Sequence, residues 1–194
     1  ETGKLEAPGA LDNIPFAENK IRLLEILIDT DCPIQGIKLN ELTKKFPDLE
    51  ANIWINTAEQ NGVEGVDDDG NGYIDDIRGW DFINDDNAPL DDNMHGTHVA
   101  GIIGAVGNND KGIAGAAWNV KIMPIKVFQS SGRGNATDIA LGVDYARIAG
   151  ATIQNYSFGG FTESLTAKTA YENAYANNAS LLVAASGNNG LCIG

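Results

Sequence analysis

"ATDIALGVDYARIAGATIQNYSFGG", Ala136–Gly160, changes its hydrophobic period half-way along. From about Thr137 to Ile148, Ile139, Val143 and Ala146 recur at helical spacing. Asp138 stands in the first turn, where a carboxylate meets the positive end of the helix dipole. Past Gly150, "ATIQNYS" is short, apolar and β-branched, as a strand requires, and it ends at Ser157-Phe158-Gly159-Gly160. The same alternation continues outward. Toward the C-terminus come a predicted helix from about Glu163 to Asn177 and a strand "SLLVAAS", Ser180–Ser186. That helix has Thr162 as expected N-cap and Ala167, Ala170, Tyr171 and Ala174 as its stripe. Toward the N-terminus lie a Gly/Ser loop, "QSSGRGN", a strand "VKIMPIKVF" (Val120–Phe128) and a helix headed by His95. Strands alternating with helices of this length predict βαβ units, a mostly parallel sheet and an α/β fold.

Further upstream, "IRLLEILID" (Ile21–Asp29) predicts a buried strand, and residues 1–20 an extended segment preceding the body of the domain, 21–194. Of 194 residues, 27 are acidic and 13 basic, a net charge of −14 that repels nucleic acid and attracts hard cations. No apolar run approaches the roughly 18 residues of a membrane span. The cysteines, Cys32 and Cys192, are too few for a disulfide framework, although a bridge between them, or to another segment, is an expectation to test. N-x-[ST] sequons at Asn135, Asn155 and Asn178 permit an extracellular setting without establishing it.

In parallel sheets, functional groups gather at the carboxyl ends of strands. Asp29, Ser157–Gly160 and Ser186–Gly190 stand at such ends, and His95 opens a helix. An aspartate there can orient an imidazole that takes a proton through its other nitrogen. Asn188, flanked by Gly187 and Asn189-Gly190, has an amide suited to a developing oxyanion. Singly, each has an ordinary structural explanation: a turn former, a hydrogen-bonding histidine, a loop asparagine.

"HGTHVAGIIGA", "GIAGAAWNVKIMPIKVF", "SFGG" and "VAASGNNG", taken in this order, resemble the subtilisin-like serine proteases, nearest in look to calcium-rich, thermitase-like secreted members. The resemblance runs from about Pro47 to Gly190. It implies a three-layer fold with helices on both faces of the sheet, His95 as catalytic base and His98 as a packed, non-catalytic partner. It implies Asp29 of "ILIDTD" as the orienter, with Asp31 where the motif has glycine, and Asn188 as the oxyanion donor. Ser157, Phe158 and Gly159 match one side of the substrate cleft, and Gly132, Arg133 and Gly134 the facing edge, which would hold an extended peptide by strand addition. The family's nucleophile lies in a G-T-S-type turn after the oxyanion asparagine. No G-T-S occurs here and no serine follows Asn188, so the serine is expected on a C-terminal remainder of the domain, outside this chain. An incomplete fold that is inactive by itself follows. A prosegment inhibitor and a secreted or extracytoplasmic location are further implications.

"DDDGNGYIDD" allows an EF-hand-like register, with Gly72 at the sharp turn and Asp67, Asp69, Asn71, the Tyr73 carbonyl and Asp75 as calcium ligands. Arg78 at position twelve excludes a complete EF-hand, so Asp76 or Glu64 is expected to finish the shell. "WDFINDDNAPLDD" resembles the calcium loop of thermitase-like members at Asp81 and Asp86, with Asn84 where aspartate is common. Leu90 stands at another ligating position, for which Asp91 is a substitute. The expected function is a serine endopeptidase acting on extended peptides. The alternative is a non-catalytic calcium-binding interaction module on the same fold. A metal hydrolase using His95 and His98 is disfavoured, because their i,i+3 spacing differs from H-E-x-x-H.

Overall fold

The computed structural model describes residues 51–110, 112–160, 164–176 and 180–187, all within one compact unit. The predicted strand at Ile21–Asp29, the first 20 residues, both cysteines, Thr162, Asn178 and Asn188 lie outside the described residues. In chain order the elements are β1 (Asn52–Ile53), α1 (Thr57–Asn61), β2 (Trp80–Asp81), α2 (His95–Gly104), β3 (Lys121–Ile122), β4 (Ile125–Lys126), α3 (Ala136–Ile148), β5 (Ile153–Tyr156), α4 (Leu165–Ala176) and β6 (Leu181–Ala184).

The α/β class holds, and each ladder is parallel: β1 with β3, β2 with β4, and β5 with β6. Among the described residues these ladders form three separate two-stranded pairs. Val120–Phe128, expected as a single strand, is two short ones that pair with different partners. Trp54 N–H donates to the Ile122 carbonyl and Phe82 N–H to the Lys126 carbonyl, both at 2.8 Å. The break falls at Met123-Pro124, where proline has no N–H for a ladder. The Pro124 carbonyl lies against Gly79 so closely that a Cβ there would overlap it, and Gly79 has φ 117. Only glycine fits both demands.

Asn135 caps α3, its side-chain oxygen accepting from Thr137 and Asp138 N–H at 2.9 Å. The predicted face is buried: Val143 is 2% exposed and Ala146 3%. The stripe of α4 also holds, with Ala167, Ala170 and Ala174 buried. Its described span begins at Leu165, and the Ser164 carbonyl accepts from Lys168 N–H; the expected cap, Thr162, lies outside the described residues. Val143, Ala170 and Ala174 form a core with Ile139, Tyr156, Tyr171 and Leu182 packed around it. A valine buried to this degree contributes about 1.5–3 kcal/mol.

Candidate active site and acidic loops

His95 is the first residue of α2, as expected, and is exposed, while His98 is half-buried rather than enclosed. The helix head is set by Asp91, not by its formal N-cap residue, Met94. One Asp91 oxygen accepts from Asn93 N–H (2.9 Å) and Met94 N–H (2.8 Å). The other accepts from Thr97 N–H and the Thr97 hydroxyl, both at 2.7 Å. Burial works to raise the Asp91 pKa, but these four donors prevail and hold it below the usual carboxylate range. Met94 is left-handed at φ 77, an uncommon backbone state for a side-chain-bearing residue, immediately before the imidazole.

Asn93 ties this head to the next segment, its amide donating to the Ser130 carbonyl at 2.7 Å. Gln129–Arg133 forms a tight reverse turn, with Gly132 N–H donating to Gln129 O and Gln129 N–H to Arg133 O. Gly132 is therefore a turn residue (φ 73), not part of the extended edge expected from the sequence. Arg133 and Gly134 line a cavity of about 140 Å³ with Ile83, Gln129, Asn135 and Asp138. The Phe128 ring, just before the turn, meets the Phe158 ring edge-on at 4.7 Å. Phe158 follows β5, and Ser157 accepts from the Asn155 amide at 2.9 Å. Ala185 N–H donates to the Tyr156 carbonyl, so the ends of β5 and β6 lie side by side. Thus "SFGG" and the start of "SGNNG" share one edge. Gly159 is open on its Cβ side, leaving room above it. Asp29 and Asn188 lie outside the described residues.

The first acidic loop brings together Glu59, Asp67 and Asp69, each offering an oxygen, all within 4.8 Å of one another. Glu59, on α1, is 3% exposed and accepts from three loop N–H groups: Asp68 and Asp69 at one oxygen, Asp75 at the other. Gly70 and Asn71 N–H donate to one oxygen of Asp67 and Gly72 N–H to the other. The Gly72 bond above all holds its pKa below the usual range, against desolvation. The Asn71 side-chain oxygen accepts from Tyr73 N–H, and its amide donates to Asp69 and Asp76. Asp75 turns to Gly65 N–H and stands outside the cluster, as does Glu64.

Asp76, expected to complete the shell, is instead a buried anchor. It is 0% exposed and accepts from the Tyr145 hydroxyl (2.7 Å), the Asn56 amide (2.7 Å) and the Asn71 amide (2.9 Å). Burial raises its pKa despite these donors, and burial followed by the Asp76 hydrogen bond raises that of Tyr145. Tyr73 stacks edge-on against Trp80, Phe82 and Tyr145, completing the junction between loop and α3. The sequence signal for Glu59 was faint: a glutamate three residues after the Asn56 cap, a spacing that usually reports a capping box. Oxygen-only donors at this spacing fit a hard dication such as calcium.

In the second loop Asp81 and Asp86 are joined through their backbones, each N–H donating to the other's carbonyl. Their carboxylates belong to no three-acid group among the described residues. Asp81 pairs with Lys126 at 3.0 Å, and Asp86 accepts from Ala88 N–H.

A family model described as Peptidase S8, the subtilase family, matches residues 27–192. Subtilisin-like protease 1 of Plasmodium vivax is 45% identical over 112 residues, 58% of this chain and 18% of that protein. Thermitase of Thermoactinomyces vulgaris is 42% identical over 114 residues, 59% of this chain and 40% of thermitase. A cell wall-associated protease of Bacillus subtilis is 39% identical over 165 residues, 77% of this chain and 18% of that one. The crystal structure of a cold adapted subtilisin-like serine proteinase superposes with a TM-score of 0.50 at 34% identity, over 57% of this chain and 38% of that chain. The chain therefore spans well under half of each of these relatives. No helix among the described residues is long and apolar enough to cross a membrane.

Proposed function

The chain belongs to the subtilase family, and from that premise we propose that it supplies the base side of a serine endopeptidase site. His95 takes the proton of a serine hydroxyl as that oxygen attacks the peptide carbonyl, then returns it to the leaving amine. Asp29 orients the imidazole, and the Asn188 amide donates to the oxyanion. The serine belongs to a segment outside these 194 residues, so this chain alone forms no acyl-enzyme. The substrate is an extended peptide held between Arg133-Gly134 and Ser157-Phe158-Gly159, with Gly132 shaping the turn at one end. A secreted or extracytoplasmic setting and a prosegment inhibitor accompany this reading.

One observation carries it most. The head of the His95 helix is linked through Asn93 and Ser130 to the 129–133 turn, and through Phe128 to Phe158 on the other expected wall. Base and both walls thus belong to one connected set of contacts, which is the positioning that acyl transfer requires.

Calcium is the proposed cation of the first loop, held by Glu59, Asp67 and Asp69. When bound, it would neutralise converging carboxylates and lock the loop; it takes no part in the chemistry.

His95→Ala in the full-length protein is expected to reduce peptidase turnover by about a millionfold, the loss known for the equivalent change in subtilisin, with calcium binding unchanged. A fluorophosphonate probe should label the full-length protein and leave the 194-residue chain unlabelled. Full turnover in His95→Ala would remove the mechanism. A full-length protein that binds calcium but takes no label would favour the interaction-module alternative.

A further inference from the structure

The most buried ligand expected in the second acidic loop, Asp81, has no lone pair left free for calcium. An ionised carboxylate has about four lone-pair sites, and Asp81 has four donors on them. Ile83 and Asn84 N–H occupy one oxygen at 2.8 and 3.1 Å. The Asn84 amide and Lys126 Nζ occupy the other at 2.9 and 3.0 Å. Asp91, the substitute ligand, is saturated in the same way by the head of α2. Leu90, which stands at a ligating position, is 75% exposed and has no side-chain oxygen. Asp86 holds the Ala88 N–H and is exposed. The cation is already present: the Lys126 side chain is 11% exposed, against an Asp81 side chain at 1%.

We propose that Lys126 is a built-in cation that takes the place of a dication in the Asp81–Asp86 loop, leaving the loop without calcium. The same ammonium reaches Asp92 Oδ2 at 2.9 Å. It therefore ties β2 and β4 to the segment that leads into the His95 helix, a connection a bound ion would otherwise make. Calcium takes six to eight oxygens, so binding here would mean stripping donors from Asp81 while holding two positive charges beside a fixed third. The electrostatics agree. The Asp92 hydrogen bond, with Asp81 adding to it, raises the pKa of Lys126, and despite burial Asp81 is held low by Lys126 and its backbone donors.

The proposal is independent of whether the first loop binds calcium, and the test separates the two. Calcium bound per chain is counted by native mass spectrometry and by calorimetric titration in the parent, Asp69→Asn, Asp81→Asn and Asp86→Asn proteins. The expected result is that Asp81→Asn and Asp86→Asn retain the full complement, with calcium affinity within about twofold of the parent. Loss of an ion, or a tenfold weaker site, in either variant overturns the proposal. Asp86 is exposed, so that variant keeps the test decisive if Asp81→Asn fails to fold. Asp69→Asn reports only on the first loop: an unchanged count there rejects the calcium reading of that loop and leaves the Lys126 proposal standing on the other two variants.

Discussion

The two acidic loops resemble each other in composition and differ in what neutralises them. In the first, Glu59, Asp67 and Asp69 converge within 4.8 Å, and each accepts three hydrogen bonds among the described residues, which leaves an open lone-pair direction on each. No cation from the described residues reaches them. In the second, Asp81 is saturated and its charge is met by Lys126. Two carboxylate-rich loops in one chain thus take opposite routes to the same electrostatic end. On the proposed reading the first receives a cation from solution, while the second holds Lys126. The difference teaches that acidic residues mark a metal site only where their lone pairs stay free after the backbone has been satisfied.

The largest expected effect breaks the built-in pair. Lys126→Gln leaves the Asp81 charge buried beside three neutral donors, a change that costs about 3–5 kcal/mol when a buried pair loses one partner. At roughly 2–4 °C per kcal/mol for a chain of this size, the melting midpoint should fall on the order of 10 °C. The fall should be equal in calcium and in EGTA. A drop of only a degree or two would mean that solvent, not Lys126, compensates Asp81.

Calcium itself comes next. Ion at about a hundredfold over its dissociation constant stabilises by about 2.7 kcal/mol, which predicts a midpoint higher by roughly 5–10 °C than in EGTA. Asp69→Asn should abolish most of that difference while Asp86→Asn preserves it. Equal responses in the two variants would erase the distinction between the loops.

A smaller effect calibrates both. Asn135→Ala removes the cap of α3, the helix whose Tyr145 anchors the first loop through Asp76. Losing such a cap costs about 0.5–2 kcal/mol, and thermal melts should show the same loss with and without calcium. A loss confined to the calcium-bound protein would show that loop and helix are coupled through the ion.

The smallest effect concerns acid. The folded-state pKa of Asp81 lies below its ordinary value, so its stabilisation is full above about pH 3.9, the unfolded value. It declines as pH falls through the lower folded value. Acid melts of Asp81→Asn should therefore be shallower below that pH than those of the parent. Parallel curves would place the acid sensitivity elsewhere, with Asp91 the next group to examine.

Local patterns in the amino-acid sequence determined a good deal. The apolar spacing of Ile139, Val143 and Ala146 sufficed for α3, because a helix face is built from residues three and four apart. The small-residue stripe sufficed for α4, and "HGTHVAGIIGA" for a helix headed by His95. Asp67 and Asp69 were legible as a pair because a turn-rich loop brings near neighbours together. Tertiary structure alone decided the rest. Asp76 became an anchor rather than a ligand through Tyr145, 69 residues away, and no local pattern encodes such a pairing. Glu59 entered the loop because α1 packs beneath it, and its N–H partners lie 9 to 16 residues downstream. Val120–Phe128 split because its halves meet two different strands across Pro124. Whether an acidic loop awaits calcium or already holds a lysine depends on which side chain from a distant strand fills the last lone pair. That is a matter of packing, and only the folded chain settles it.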